Sequence, residues 1–263
     1  MNDVVAERYV NYFIRFILII CIIQSISIFY NKLILNKSNK KKSIELWWNG
    51  DQYRNDCKLH KDEFKVNIIN NFITDKECDY IITISKDNLT RSEVGIASAK
   101  TSNVRTSRNY FLSKKKIMDN LILRDLSEKI AIISGYPVEY QEPFSILKYE
   151  KGDYYDSHYD TFNCENLPSE KNSEMLKCLD NRKKLGRRVA SCILYLNTVE
   201  EGGATIFPNH GSHISAIKGK FIIWKNLLFN HTTDSCSLHM GSPPLKGVKW
   251  ILVSWIRSKP WKT

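Results

Sequence analysis

From Pro143 onward the chain is written in short β-like runs: FSILKYE, SHYDTF, RVASCILYLNT, ATIFP, GSHISAI, KFIIWKN, SCSLHMG and KWILVSWI. Turn residues close them, among them Gly202-Gly203, Pro208, Gly211, Gly219, Gly241 and Pro243-Pro244. Strands this short at this spacing predict a sandwich or barrel of jelly-roll type. Helical patterns lie upstream. Thr74-Asp-Lys-Glu77 is a capping box, followed at helical spacing by Cys78, Ile81, Ile82 and Ser85. A second helix is expected from about Lys115 to Ser134, with Ile117, Leu121, Leu126, Ile130 and Ile133 along one side and Gly135 as its stop. The expected class is therefore α+β: a double-stranded β-helix core over 143–259, with helices packed outside it.

A chain of 263 residues accommodates one such domain plus a short appendage. The appendage is visible in the sequence. Residues 12–30, YFIRFILIICIIQSISIFY, form the only long apolar run. Its cleanest part, Phe16 to Tyr30, falls short of the ~20 residues of a membrane span. Extension to Tyr9 or Leu35 adds Arg15, Asn31 and Lys32 near the ends, where long side chains snorkel. An uncleaved N-terminal anchor is the expectation, with cleavage near Ser25-Ile26-Ser27 as the alternative. The division is then 1–35 tip and anchor, 36–62 linker and lead-in, and 63–263 folded domain.

A net charge of +11 suits nucleic acid, an anionic membrane surface or acidic peptides. The lysine runs Lys40–Lys42 and Lys114–Lys116 carry no interleaved aromatics, so a solvated basic surface is expected and nucleic acid is not. Lys32, Lys37, Lys40, Lys41 and Lys42 follow the apolar run, which by the positive-inside rule leaves the C-terminal domain in the cytosol. Six later cysteines and the sequons at Asn36, Asn88 and Asn230 point the other way. Cys164 and Cys178 are placed to staple the segment between them, whereas Cys192, inside a strand run, reads as a small buried hydrophobe.

One stretch carries chemistry. In HYDTF, His158 and Asp160 are two apart, so on a strand they share a face and Tyr159 takes the other. The bland reading is the wet face of an edge strand. The other is a metal site whose third ligand lies elsewhere. His60 precedes the β region, His210, His213 and His231 sit in or beside turns, and His239 directly precedes a Gly-Ser-Pro turn and the last strand. Two imidazoles and a carboxylate on one side of an ion form the facial triad that holds Fe(II) with open positions. Lys249 opens the last strand, where alternation puts it on one face with Ile251, Val253 and Trp255. If that face is interior, the ammonium needs an anionic partner. Otherwise it snorkels to solvent.

Taken in order, FSILKYEKGDYYDSHYD, GRRVASCILYLNTVEEGGATIFP, KGKFIIWKN and SLHMGSPPLKGVKWILVSWIR resemble the 2-oxoglutarate- and Fe(II)-dependent prolyl 4-hydroxylases. EVGIASAKTSNVRTSRNYFL resembles that family's segment before its second helix, and the likeness runs from the capping box to the C terminus. Departures are Leu245 and the lysine-rich stretch between Asn163 and Lys184. The resemblance implies Fe(2+) held by His158, Asp160 and His239, and 2-oxoglutarate held by Lys249, Tyr149 and Thr205. It implies O2 as the second cosubstrate, L-ascorbate to rescue over-oxidised iron, and a peptide groove at Arg105, Ser107, Glu142, Tyr155, Arg188 and Trp255. From spacing alone, Tyr149, Thr205 and Trp255 read equally well as barrel packing. The implied reaction is 4-hydroxylation of proline in a peptide or protein, with succinate and CO2 as coproducts. The implied location is the membrane of the endoplasmic reticulum with the catalytic domain in its lumen. A same-fold oxygenase acting on nucleic acid resembles a pattern with arginine in place of Lys249. A non-catalytic barrel would be marked by a missing ligand, and none is missing. Oligomeric state is left open.

Overall fold

A computed structural model of the chain describes Cys57 and residues 62–92, 105–161, 164 and 172–261. These all belong to one compact unit, Gly50–Thr263. The expected anchor, the lysine-rich linker and the Asn36 sequon lie outside the described residues. Among those described, no helix is long and apolar enough to cross a membrane.

The elements in chain order are β1 (Asn67–Ile69), α1 (Asp75–Ser85), β2 (Thr90–Arg91), β3 (Arg108–Phe111), α2 (Lys114–Asp119), α3 (Leu121–Ser134), β4 (Ser145–Tyr149) and β5 (Tyr155–His158). There follow α4 (Asn172–Leu185), β6 (Arg188–Tyr195), β7 (Glu201–Gly202), β8 (Thr205–Phe207), β9 (Ser212–Ile214) and β10 (Phe221–Lys225). The last are β11 (His239–Gly241), β12 (Pro244–Lys246) and β13 (Lys249–Arg257). Seven strands form one antiparallel sheet in the order β1-β10-β6-β13-β4-β3-β2, and four form a second, β5-β11-β8-β9. Strand alternation sends Tyr195, Trp224, Ile251 and Val253 of the large sheet into one core with Phe207 and Ile214 of the small one. Leu194, Ile223, Leu252 and Ile256 point to the opposite face and are equally buried. α1 buries Cys78 and Ile81, and α3 buries Leu123, Leu126 and Ile130.

The capping box forms as expected: Glu77 N–H donates to Thr74 Oγ1 at 3.3 Å and Thr74 N–H to Glu77 Oε2 at 2.7 Å. The single helix expected to Ser134 is instead two. Asn120 is extended, and its side chain accepts from Leu123 N–H at 3.1 Å, which caps α3 anew and resets its register. Leu123, Leu126 and Ile130 are therefore buried, while Leu121 is 71% exposed. Gly135 ends α3 at φ 73°, as expected. The β core also begins earlier than Pro143, because β1, β2 and β3 join the large sheet. The lysine-rich stretch after Asn163 contains α4, tied by the Cys164–Cys178 disulfide. A second disulfide, Cys57–Cys236, fastens the lead-in to the segment before β11. Cys192 is free and buried. Gly202, at φ 75°, pairs β7 with β12 so closely that a Cβ would come 2.3 Å from the Pro243 carbonyl oxygen.

The reset register has a measurable consequence. Leu126→Ala is expected to destabilise the fold by about 2–5 kcal/mol in denaturant titration, and Leu121→Ala by under about 0.5 kcal/mol. Equal losses would restore the single continuous helix.

Candidate metal and cosubstrate site

β5 and β11 pair antiparallel with His158 directly opposite His239, and their ring centroids lie 4.3 Å apart. β5 ends at His158, so Asp160 reaches the site from the loop beyond the strand and not from a shared strand face. That loop is held from behind. Arg188 Nη1 donates to the Asp160 carbonyl at 3.5 Å, and Arg187, which the sequence did not single out, donates to Thr161 Oγ1 at 3.4 Å and Thr233 Oγ1 at 3.1 Å. Asp160 Oδ1 then stands 3.7 Å from His158 Nε2, and its Oδ2 3.6 Å from His239 Nε2. The ligating atoms of the three residues all lie within 4.8 Å of one another.

The second nitrogen of each ring decides which atom faces the ion. His158 Nδ1 donates to the Asp156 carbonyl at 2.7 Å, and His239 Nδ1 to the Ser237 carbonyl at 2.9 Å. Both Nε2 lone pairs are thereby left for a metal. Burial and the neighbouring His239 push the His158 imidazole well below its ordinary range, favouring the neutral form a ligand needs. Burial raises the Asp160 carboxyl, but His239, His158, Arg188 and the Ser191 hydroxyl outweigh it and hold the group ionised. Two neutral imidazoles and one carboxylate, with one side facing a cleft, fit Fe(II).

The cleft encloses about 330 Å3 and takes the triad, Thr205, Tyr149, Lys249 and Trp255 into one wall. Lys249 is paired with Tyr149 across β13 and β4 and is 1% exposed, so it does not snorkel. Its Nζ lies 5.2 Å from the Tyr149 ring centre and has no hydrogen-bond partner among the described residues. Burial pushes its pKa down to about 7. A buried ammonium with nothing to bond is a site for an anion. Thr205 Oγ1 accepts from Tyr195 O–H at 2.7 Å, which leaves the threonine proton for a ligand. Tyr195 was not foreseen. Its inward place on β6 was readable by alternation, but no spacing marked its hydroxyl. These groups fit a dicarboxylate lying between Lys249 and the triad.

The remaining expected residues fall in two layers. Arg105, Tyr155, Arg188 and Trp255 line the cleft. The Arg105 guanidinium lies 4.6 Å over the Tyr155 ring, which stacks on His158 at 3.6 Å, and the Arg188 guanidinium lies 3.9 Å over Trp255. Ser107 and Glu142 are buried behind them: Ser107 Oγ accepts from Arg105 Nε at 3.2 Å, and Glu142 accepts from Arg188 Nε at 2.6 Å and Nη2 at 2.8 Å.

Two outcomes follow from this geometry. His239→Ala and Asp160→Ala are each expected to lower Fe(II) affinity at least about tenfold, read by anaerobic calorimetry; unchanged affinity in both would remove the triad. The second concerns protons. Lys249 is protonated to pH 10.5 when unfolded but only to about pH 7 in the empty fold. The empty protein should therefore gain stability as pH rises from about 7 toward 10.5. Dicarboxylate binding needs the ammonium form, so at pH 8 to 9 it should take up about one proton, and Lys249→Met should abolish that uptake. Calorimetry in buffers of different ionisation enthalpy measures it.

Residues 144–257 match the family profile of the 2OG-Fe(II) oxygenase superfamily. Prolyl 4-hydroxylase 13 of Arabidopsis thaliana is 32% identical over 206 residues, covering 72% of this chain and 69% of its own length. Probable prolyl 4-hydroxylase 9 of the same plant is 34% identical over 208 residues, covering 72% and 67%. Prolyl 4-hydroxylase 2 is matched over 64% of its length, so the chain spans about two thirds of such relatives. Among solved structures, the viral collagen prolyl hydroxylase vCPH of Paramecium Bursaria Chlorella virus-1, in complex with 2OG, aligns with a TM-score of 0.56 at 23% identity. That alignment covers 74% of this chain and 96% of vCPH, and it shows a shared fold.

Proposed function

The chain belongs to the prolyl 4-hydroxylase family of 2OG-Fe(II) oxygenases, and from there we propose that it hydroxylates C4 of proline in a peptide or protein. The observation that carries this reading is the solitary buried ammonium of Lys249 in the same cleft as the His158, Asp160 and His239 triad.

Iron, 2-oxoglutarate and dioxygen, when bound, supply the oxidation that places a hydroxyl on carbon and yields succinate and CO2. Everything else is positioning. His158 and His239 would hold the iron through Nε2, and Asp160 through a carboxylate oxygen. Lys249 neutralises the far carboxylate of 2-oxoglutarate while Thr205 and Tyr149 offer hydroxyls to it. The apolar wall of Leu147, Ile193, Ile251 and Val253 excludes water around that ligand. The peptide lies over Tyr155 and Trp255. Trp255 Nε1 is buried without a partner among the described residues and can donate to a peptide carbonyl. L-Ascorbate would be the reductant for iron held by the triad.

Two disulfides, Cys57–Cys236 and Cys164–Cys178, favour folding in an oxidising compartment. They support a place in the lumen of the endoplasmic reticulum behind an N-terminal anchor. Asn88 is exposed, and its Nδ2 donates to the Ile84 carbonyl at 3.4 Å; Asn230 is half-buried, and its Oδ1 accepts from Thr232 N–H at 3.0 Å.

A panel of proline peptides should show succinate release matched one to one by 4-hydroxyproline, and Lys249→Ala should raise the KM for 2-oxoglutarate at least about a hundredfold. Succinate release that no proline peptide stimulates would sink the substrate assignment. For topology, sealed microsomes should protect the catalytic domain from protease, with a glycan on Asn88. Complete digestion with no glycan on any sequon would place the domain in the cytosol.

A further inference from the structure

Beyond the residues already assigned to the cleft, its outer end holds an arginine whose charge is only partly answered. Arg257 closes β13 directly opposite Arg188 on β6, and both side chains line the cleft. Between them sits one carboxylate. Glu142 Oε1 accepts from Arg188 Nε and from Arg257 Nε, each at 2.6 Å, and Glu142 Oε2 accepts from Arg188 Nη2 at 2.8 Å. Arg188 thus holds Glu142 through two bonds and is further satisfied by the Trp255 ring at 3.9 Å. Arg257 has one bond to that already shared oxygen, one at 2.8 Å to the neutral Gly186 carbonyl, and the Trp261 ring at the longer distance of 5.6 Å.

The proton equilibria agree with the geometry. Burial lowers the Arg257 guanidinium, Glu142 opposes this, and Arg188 lowers it again, for a net fall. Arg188 is lowered by burial but raised more by Glu142, for a net rise. Two guanidiniums share one carboxylate, so the trio keeps one positive charge in surplus, and Arg257 is the less bonded of the two. Among the described residues the cleft wall contains one carboxylate, Asp160, and that is committed to the triad.

Resting on the prolyl hydroxylation reading, we infer that Arg257 is a specificity residue that selects peptides with an aspartate or glutamate flanking the target proline. The acidic side chain meets the guanidinium at the Trp255 end of the cleft, and the chain's overall charge of +11 steers such peptides toward it.

Binding tests this apart from turnover. The full chain, loaded with Zn(II) and 2-oxoglutarate, is titrated with labelled proline peptides that differ only in aspartate or asparagine beside the proline. The aspartate peptide is expected to bind about tenfold more tightly, and raising salt from about 50 to about 300 mM should remove most of that margin. Arg257→Gln should bring the ratio toward one, and Arg257→Lys should keep it. Equal affinities at both salt concentrations would overturn the inference, as would a full ratio surviving in folded Arg257→Gln. If that variant does not fold, the ratio and its salt dependence in the unaltered chain decide alone. Hydroxylation of the same peptides with Fe(II) and oxygen is followed in parallel. Acidic peptides that bind preferentially but are never hydroxylated would refute the prolyl reading and leave the charge preference standing.

Discussion

The register of β11 within the small sheet fixes almost everything in the site. On one side β11 sets His239 against His158 of β5; on the other it sets Gly241 against Thr205 of β8. Two imidazoles of the triad and the Thr205 hydroxyl are thus placed by main-chain pairing. A slip of one residue would turn His239 away from the cleft, because neighbouring residues on a strand face opposite sides. The Cys57–Cys236 disulfide, just before β11, ties this segment to the lead-in. Backbone carbonyls of Asp156 and Ser237 complete the arrangement by orienting the two imidazoles.

The large sheet contributes charge. Lys249, the first residue of β13, is buried with no hydrogen-bond partner among the described residues, and Arg257, the last, is half-buried beside a Glu142 that it shares with Arg188. Both ends of one strand therefore carry cations that cost the empty fold stability. Such costs are tolerated where a ligand repays them. In this reading one end waits for a dicarboxylate and the other for an acidic side chain of the substrate.

Much of this was legible in the sequence. Alternation along KWILVSWI put Lys249 with Ile251, Val253 and Trp255, and all four line the cleft. His158 and Asp160 were recognisable as a pair, but their geometry was not: β5 stops at His158, and Asp160 is positioned by Arg188 and the Ser191 hydroxyl. Local pattern could not reveal that, since the partners lie about thirty residues away in another strand. The break at Asn120 was missed because apolar periodicity runs through it, while the cap that resets the helix is one hydrogen bond. The helix α4 lay hidden in a lysine-rich stretch with little apolar periodicity. Arg257 carried no signal, because its meaning depends on Glu142, a distant residue shared with Arg188.

Oxygen labelling follows the two atoms of dioxygen to their products. With 18O2, Fe(II), 2-oxoglutarate and a proline peptide, mass spectrometry should find one 18O on C4 of the proline and one in the succinate. An unlabelled hydroxyl on proline, or label in succinate with the peptide unchanged across the whole panel, would rule out hydroxylation of proline by dioxygen at this site.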